Sequence, residues 1–159
     1  MKFLIKKSFV LINRRTIEAH GGSYVPPENF LHEGVLDYTV EAVKESVFGQ
    51  PMYPSLADKA AFYMFQIVTG HVFQDGNKRT GLEAALAFLQ LNTANLRENL
   101  TRIESDNERL IPEKGENTDD ILENFTLEMA SGKISLDEAR QWFTQNISTD
   151  GAFQKLAYG

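Results

Sequence analysis

The sequence predicts an all-α fold, a helical bundle with one short β-hairpin, from three observations. Along most of the chain, capping residues and glycines mark the two ends of segments that are long enough to be helices. Two of these segments are apolar on nearly every face, as helices at the centre of a bundle are. Residues 47–54 combine β-forming residues with two prolines and a glycine, which is typical of a short hairpin, and they are the only strand candidate.

The composition is that of a globular protein and excludes several functions. Its 159 residues, 42% of them hydrophobic, suffice for one compact domain. The absence of cysteine excludes disulfides, thiolate metal sites and a cysteine nucleophile. The net charge of −6 argues against a nucleic-acid-binding surface, and residues 104–128 are strongly acidic. We expect a cytoplasmic protein that binds no membrane, because there is neither an export signal nor a stretch of about 18 apolar residues.

Four helices are predicted in the first part of the chain. Side-chain caps start the first and the third, and glycines, which tolerate the positive φ of C-terminal caps, end them. The fourth helix has two possible starts, about one turn apart, because two residues can cap it. The predicted helices are residues 9–19, capped by Ser8 and ended by Gly21-Gly22; about 28–45; a helix opened by Ser55 and Asp58 that runs through Thr69 to Gly70; and one from Asn77 or Thr80 to about Leu91.

The last third of the chain predicts two more helices after a polar linker. Residues 92–118 are polar and acidic, and we expect a loop that can include one exposed helix. The tail after residue 148 is expected to fray. The helices are one capped by Thr118 and ending at Gly132, and one opened by a capping box of Ser135 and Glu138 and running to about Asn146.

The segment between the two apolar helices departs from the usual charge pattern of a helix N-terminus. Helix N-termini favour acidic residues, yet the fourth helix opens with Lys78 and Arg79. Free backbone N–H groups and two cations at one point are typical of a phosphate site. Gly76 has no side chain, which lets a ligand approach the backbone closely. Asp75 would lie beside phosphates without repulsion only if a hard cation such as Mg²⁺ bridges them. His71 can take a proton.

The alternative is a solvated loop, in which Asp75 or Asn77 caps the helix while Lys78 and Arg79 point into water. Five functional side chains within nine residues, held between two buried helices, favour a site instead. Neither a Walker loop nor a GxGxxG motif is present. A zinc site is not expected either, because the three histidines lack the spacing of ligands; they are His20, His32 and His71.

The run from His71 to Thr80, His-x-Phe-x-Asp-Gly-Asn-Lys-Arg-Thr, resembles the signature of the Fic/Doc family, in the variant of the death-on-curing (Doc) toxins of bacterial toxin–antitoxin systems. The wider resemblance implies a single Fic/Doc domain over residues 8–147, with residues 1–7 and 148–159 as terminal extensions. It also implies an all-helical Fic fold, an ATP–Mg²⁺ site, and transfer of a phosphate-containing group to a protein hydroxyl. In Doc toxins the group is the γ-phosphate and the acceptor is a threonine of elongation factor Tu, which blocks translation.

The resemblance also implies roles for the matching residues. These are His71 as the general base, Asp75 as the Mg²⁺ ligand, Gly76, Asn77, Lys78 and Arg79 as the phosphate-binding residues, and Phe73 as the anchor of the loop in the core. Residues 47–54 fall where the family has a flap that clamps the target peptide.

Two departures from the AMPylating branch of the family favour phosphate transfer. That branch has a glycine where this chain has Lys78, and a second arginine where it has Leu82. The inhibitory helix pattern of that branch is absent as well, so we expect a separate antitoxin as a partner besides the protein substrate. AMP transfer remains the alternative reaction. A catalytically inactive nucleotide- or partner-binding module is the other alternative, and the intact His71 and Asp75 argue against it.

Overall fold

The structure, a computed structural model, describes residues 1–100 and 117–148. The described part consists of helices with two small antiparallel sheets, which confirms the predicted all-α class with a short hairpin. The elements are α1 Lys6–His20, α2 Glu33–Ala42, β1 Ser46–Val47, β2 Gln50–Pro51, α3 Leu56–Gly70, α4 Asn77–Leu91, β3 Asn95–Leu96, α5 Thr118–Ala130, α6 Leu136–Asn146 and β4 Ile147–Ser148.

Helix α3 forms the centre of the bundle, as its apolar sequence predicts. It packs most extensively against α4 and α6, and it also contacts α2 and α5. Gly81 of α4 allows the closest of these contacts, because a Cβ there would lie 2.5 Å from Cγ2 of Val68 and 3.0 Å from the carbonyl oxygen of Met64. The backbones of the two helices on either side of the candidate site therefore lie close together at this point.

The predicted hairpin is present between α2 and α3. Strands β1 and β2 pair antiparallel, with Val47 opposite Gln50. The two turn residues, Phe48 and Gly49, have φ of 51° and 78°, and two successive positive φ values are typical of a type I′ turn. The Phe48 side chain is 100% exposed at the tip. The prediction of a single strand pair was wrong, however, because β3 and β4 form a second one.

Three predicted helix starts differ from the structure. Ser8 is not the cap of α1 but lies in its first turn, where its Oγ accepts a hydrogen bond from the N–H of Ile5 at 3.2 Å. Thr118 is the first residue of α5, and Asn117 caps the helix instead. Helix α2 begins five residues later than predicted, at Glu33, because residues 29–32 pair with the loop after α3. At α5 two adjacent residues can cap, and Asn117 does so because its Oδ1 accepts the N–H of Asp120 at 2.8 Å.

Three helix ends also differ. Helix α2 ends at Ala42 and α5 at Ala130, both before the predicted ends. Gly70 is the last residue of α3 rather than its stop, and His71 adopts the left-handed conformation that ends the helix. The reason for glycine at position 70 is space, since a Cβ there would lie 2.7 Å from Cγ1 of Val35 in α2.

The remaining predictions divide between described and undescribed residues. The capping boxes of Ser55 with Asp58 and of Ser135 with Glu138 are both confirmed. Most of the predicted linker, residues 101–116, and the tail from residue 149 lie outside the described residues. Within residues 1–100 and 117–148, no helix has the length and apolar character needed to cross a membrane.

Candidate active site

The site loop, residues 71–76, joins α3 to α4 and is fixed at both ends by left-handed residues. His71 has φ 50° and ψ 48°, and Gly76 has φ 77° and ψ 13°. Between them Phe73 is fully buried, as predicted, and its ring stacks on that of Phe30 with centroids 5.3 Å apart. The loop thus exposes its polar residues while one aromatic ring anchors it in the core.

Residues 29–32 support the site loop from the side. The N–H groups of Leu31 and His32 both donate to the carbonyl oxygen of Val72, at 2.8 and 3.0 Å. The N–H of Gln74 donates to the carbonyl oxygen of Asn29 at 2.7 Å. These bonds satisfy backbone groups of a loop that has no regular secondary structure of its own, which makes its shape well defined.

Asp75 presents an ionised carboxylate at the exposed face of the loop. Its Oδ2 accepts a hydrogen bond from the N–H of Ser23 at 2.9 Å, and its Oδ1 accepts one from the N–H of Gly76 at 2.8 Å. These two backbone donors lower the pKa of Asp75 below its ordinary value. Gly22 makes the approach possible, because a Cβ there would lie 2.8 Å from Oδ2 of Asp75.

Lys78 and Arg79 lie exposed in the first turn of α4. No acidic residue is present in that turn, and neither cation forms an ion pair with any described residue. The first-turn N–H groups of a helix have no intrahelical acceptor, and the helix dipole adds a partial positive charge there. Positive potential is therefore concentrated beside the Asp75 carboxylate, as the sequence predicts.

The side chain of Asn77, unlike those of Lys78 and Arg79, is partly buried and hydrogen-bonded within the loop. Its Oδ1 accepts a hydrogen bond from the N–H of Phe73 at 2.9 Å, and its Nδ2 donates to the carbonyl oxygen of the same residue at 2.8 Å. Both polar ends of the side chain are thus engaged within the loop. The backbone N–H of Asn77, at the start of α4, has no intrahelical acceptor and can bind a ligand.

His71 lies exposed at the end of α3, within the same loop as Asp75. Its carbonyl oxygen is 2.9 Å from Nδ1 of His32, which donates to it in the tautomer that carries a proton on Nδ1. His32 is the N-cap residue of α2, and nothing in its local pattern indicates this contact. The exposed imidazole of His71 is accessible to a macromolecular target.

Two buried polar residues behind the loop were also missed. Asn13 and Asn29 are both fully buried, and they hydrogen-bond to each other and to the backbone of the loop region. A signal for Asn13 exists in the sequence, because it lies between Phe9 and Ile17 on the apolar face of the first helix, where a polar residue is unexpected. Asn29 has no comparable signal, since the sequence predicts it within the second helix, whereas the structure places it before α2.

Comparison with known proteins places this arrangement in a family. The sequence profile of the Fic/DOC family matches residues 4–89, more than half of the chain. The chain belongs to the Fic/DOC family. The matched range contains α1 to α3, the whole site loop and all but the last two residues of α4 of this Fic/DOC protein, whereas α5 and α6 lie outside it.

One curated relative supports the same assignment. The Fic/DOC chain is 41% identical over 63 residues to the protein named Toxin Doc of Mycolicibacterium smegmatis (strain ATCC 700084 / mc(2)155). The aligned part is 40% of this chain and 48% of the relative, so the chain spans about half the length of the relative that it matches.

Proposed function

We propose that this Fic/DOC chain is a Doc-like toxin that transfers the γ-phosphate of ATP to a protein hydroxyl, with a threonine of elongation factor Tu as the candidate acceptor. The observation that carries the proposal is the site loop. It combines an exposed imidazole, a carboxylate fixed by two N–H groups, and two cations at a helix N-terminus that form no ion pair with a described acidic residue. This set of groups fits a nucleotide triphosphate with its metal ion.

The residues of the loop would fit Mg²⁺, with Asp75 as the side chain that would hold it. Among residues 1–100 and 117–148, no group of three or more metal-ligating side chains is present that could bind a cation by itself. Mg²⁺ typically uses one or two carboxylates together with phosphate oxygens, and Asp75 provides one ionised carboxylate. Each of its oxygens accepts one N–H and retains a further lone pair. When bound, the cation neutralises part of the phosphate charge.

The chain's own groups then perform the transfer. A ring nitrogen of His71 removes the proton of the target hydroxyl as its oxygen forms a bond to the γ-phosphorus. The bond from that phosphorus to the bridging oxygen breaks, and ADP leaves with the electron pair. The N–H groups that follow Gly76, with Lys78 and Arg79, orient the phosphates and stabilise the charge on them during transfer.

Two side chains favour phosphate transfer over AMP transfer. Lys78 places a bulky cation in the first turn of α4, where the AMPylating branch of the family has a glycine. Leu82, one turn later, packs partly buried against the core and provides no guanidinium for a second phosphate position. The α-phosphate then lacks the two features that would hold it at the reacting position.

The proposal extends to partners and location. We infer a single domain over residues 8–147, a cytoplasmic protein, a translation factor as the protein substrate, and a separate antitoxin that controls the activity. The exposed hairpin tip at Phe48 is a candidate contact for the target, because the hairpin falls where the family has its target-binding flap.

The position of the label in the product tests the proposal directly. The purified protein is incubated with elongation factor Tu and Mg²⁺, and with ATP labelled either in the γ- or in the α-phosphate. Transfer from γ-labelled ATP alone is expected. Transfer of the α-label would establish AMP transfer instead, and the absence of both would indicate an inactive module.

A further inference from the structure

Both polar atoms of the Asn13 side chain, in α1, form hydrogen bonds, and one of these bonds reaches the site loop. Asn13 is fully buried. Its Nδ2 donates to the carbonyl oxygen of Asp75 at 2.9 Å and to Oγ1 of Thr80 at 3.2 Å. Its Oδ1 accepts from Nδ2 of Asn29 at 3.0 Å. An amide that satisfies all these groups in the interior fixes their relative positions, because each lost bond would leave a buried polar group without a partner.

The three partners of Asn13 come from three separate parts of the site. Asp75 carries the carboxylate, Thr80 lies in the first turn of α4, and Asn29 belongs to the segment that pairs with the loop. The Oδ1 of Asn29 in turn accepts the N–H of Val25 at 2.7 Å, so the network continues into the chain after α1. One side chain thus links the metal-binding end of the loop to the start of α4.

The amide of Asn13 also lies directly beneath the turn at Gly76. A Cβ on Gly76 would lie 3.1 Å from Nδ2 of Asn13 and 3.0 Å from Cδ1 of Ile17. The backbone that connects the Asp75 carboxylate to the N–H groups of α4 therefore rests on this amide. A shift of the amide would move both groups relative to each other.

We propose that Asn13 is a positioning residue for the transfer reaction, which holds the carboxylate of Asp75 and the N-terminus of α4 in the relative orientation that the phosphates require. The inference rests on the proposed function. Asn13 contacts neither the Asp75 carboxylate nor Lys78 directly, and acts through the carbonyl group of Asp75 and the hydroxyl of Thr80. Displacements of about 1 Å at reacting groups reduce rates by roughly 10²-fold, so a loss of these bonds acts on turnover.

The matched control is Asn146 of α6. It is also a fully buried asparagine in a helix, and its Nδ2 donates to the carbonyl oxygen of Trp142 at 2.9 Å, away from the site loop. Asn13→Ala and Asn146→Ala remove the same atoms from comparably buried positions. A purely structural role of Asn13 predicts that the two variants behave alike.

The first measurement needs no nucleotide and no target. Amide hydrogen exchange is compared in the ligand-free proteins at Phe73 and Thr80, whose N–H groups bond to Asn77 and to the carbonyl oxygen of Gly76. Asn13→Ala is expected to accelerate exchange at both amides by roughly tenfold more than Asn146→Ala does. Equal exchange in the two variants would overturn the inference whatever the reaction of the protein is.

The second measurement separates turnover from target binding. Asn13→Ala is expected to lower kcat by about 10²-fold with an unchanged KM for the protein target, while Asn146→Ala keeps both within about twofold. A kcat of Asn13→Ala equal to that of Asn146→Ala would overturn the inference. A wild-type protein without transfer contradicts the proposed function, and the exchange experiment then decides on Asn13 alone. If Asn13→Ala does not fold, Asn13→Ser undergoes the same two comparisons.

Discussion

The side-chain amide of Asn77 closes the site loop on the backbone of Phe73, accepting its N–H at 2.9 Å and donating to its carbonyl oxygen at 2.8 Å. Since the Phe73 ring is fully buried, this pair of bonds ties the first residue of α4 to the core. The sequence prediction includes Asn77 among the phosphate-binding residues, and that role stays a prediction for its backbone N–H. The role of its side chain is to shape the loop.

Replacement of Asn77 by alanine is expected to destabilise the protein and to weaken nucleotide binding together. The loss of two hydrogen bonds in the part-buried loop costs about 1–3 kcal/mol in the free energy of unfolding, measured by urea denaturation. Asn92 is a matched control, because its amide makes the same two bonds to the backbone of Lys2 at the other end of α4. Asn92→Ala should lower stability without changing the response of the melting temperature to ATP–Mg²⁺, and an equal change in that response would contradict the prediction.

His71 is expected to be essential for transfer and dispensable for folding. Because His71 adopts a left-handed conformation, asparagine, which tolerates it, is the better replacement than alanine. His71→Asn should reduce the rate of transfer by about 10²–10⁴-fold, the usual contribution of a positioned acid–base group, with ATP binding retained. An undiminished rate would remove His71 from the mechanism.

Phe73→Ala should show the opposite pattern, since loss of a buried ring costs about 3–5 kcal/mol in stability.

The cations of α4 are expected to account for nucleotide binding in the absence of any target. ATP with Mg²⁺ should raise the melting temperature, because a ligand that binds the folded state stabilises it. Lys78→Ala with Arg79→Ala should abolish the rise, and should leave the empty protein at least as stable, because two charges that oppose the helix dipole are removed. Lys6→Ala with Lys7→Ala removes two cations from the first turn of α1, which also lacks acidic residues, although Lys6 is ion-paired with Glu33 and Asp37 of α2. The nucleotide would bind elsewhere if the control variant lost the rise in melting temperature. The same conclusion would follow if the Lys78→Ala, Arg79→Ala variant kept it.

Asp75 is expected to make nucleotide binding depend on Mg²⁺. Asp75→Asn keeps an oxygen that can accept the N–H of Ser23 but removes the negative charge. In the wild type, the rise in melting temperature with ATP should need Mg²⁺, because the carboxylate otherwise repels the phosphates. In the variant, the rise should be the same with Mg²⁺ and with a chelator. A variant that still requires Mg²⁺ would assign the metal to other ligands.

The ion pair of Asp58 with Arg140 is expected to make stability depend on pH. Burial raises the pKa of Asp58, but the hydrogen bonds from Arg140, with Nε at 2.9 Å, and from Ser55 outweigh it and lower the pKa below its ordinary value. The pair therefore stabilises the fold above the unfolded-state pKa near 4, and the contribution is lost as the pH falls through the lower folded-state value.

The measurement is urea denaturation of the wild type and of Asp58→Asn between pH 7 and pH 2. The variant should be less stable by about 1–3 kcal/mol at pH 7, because a charged hydrogen bond in a part-buried position is lost, and the difference should shrink below about pH 4. Asp37→Asn is the control, since it removes an exposed ion pair with Lys6 that contributes little. A difference for Asp58→Asn that is constant with pH would contradict the assignment.

The sequence by itself determined the order of the helices and the place of the site. The capping boxes at Ser55 and Ser135 predict the starts of α3 and α6, because capping is a contact between residues three apart. The two cations that open α4 predict a phosphate site from a similarly local signal, since a helix dipole acts within one turn. The motif around His71 added the family, which the match over residues 4–89 shows.

Only the tertiary structure decided how the site loop is held. Residues 29–32 pair with the loop instead of extending α2, Asn13 supports the turn at Gly76, and β3 pairs with β4 some fifty residues later in the chain. Each of these contacts joins segments that are distant in sequence, and local propensities contain no information about such pairs. The same holds for Gly70, whose small size is required by a neighbouring helix and not by its own. The sequence could therefore predict which residues form the candidate site, whereas the residues that hold the loop in place are identified only by the packing of the helices.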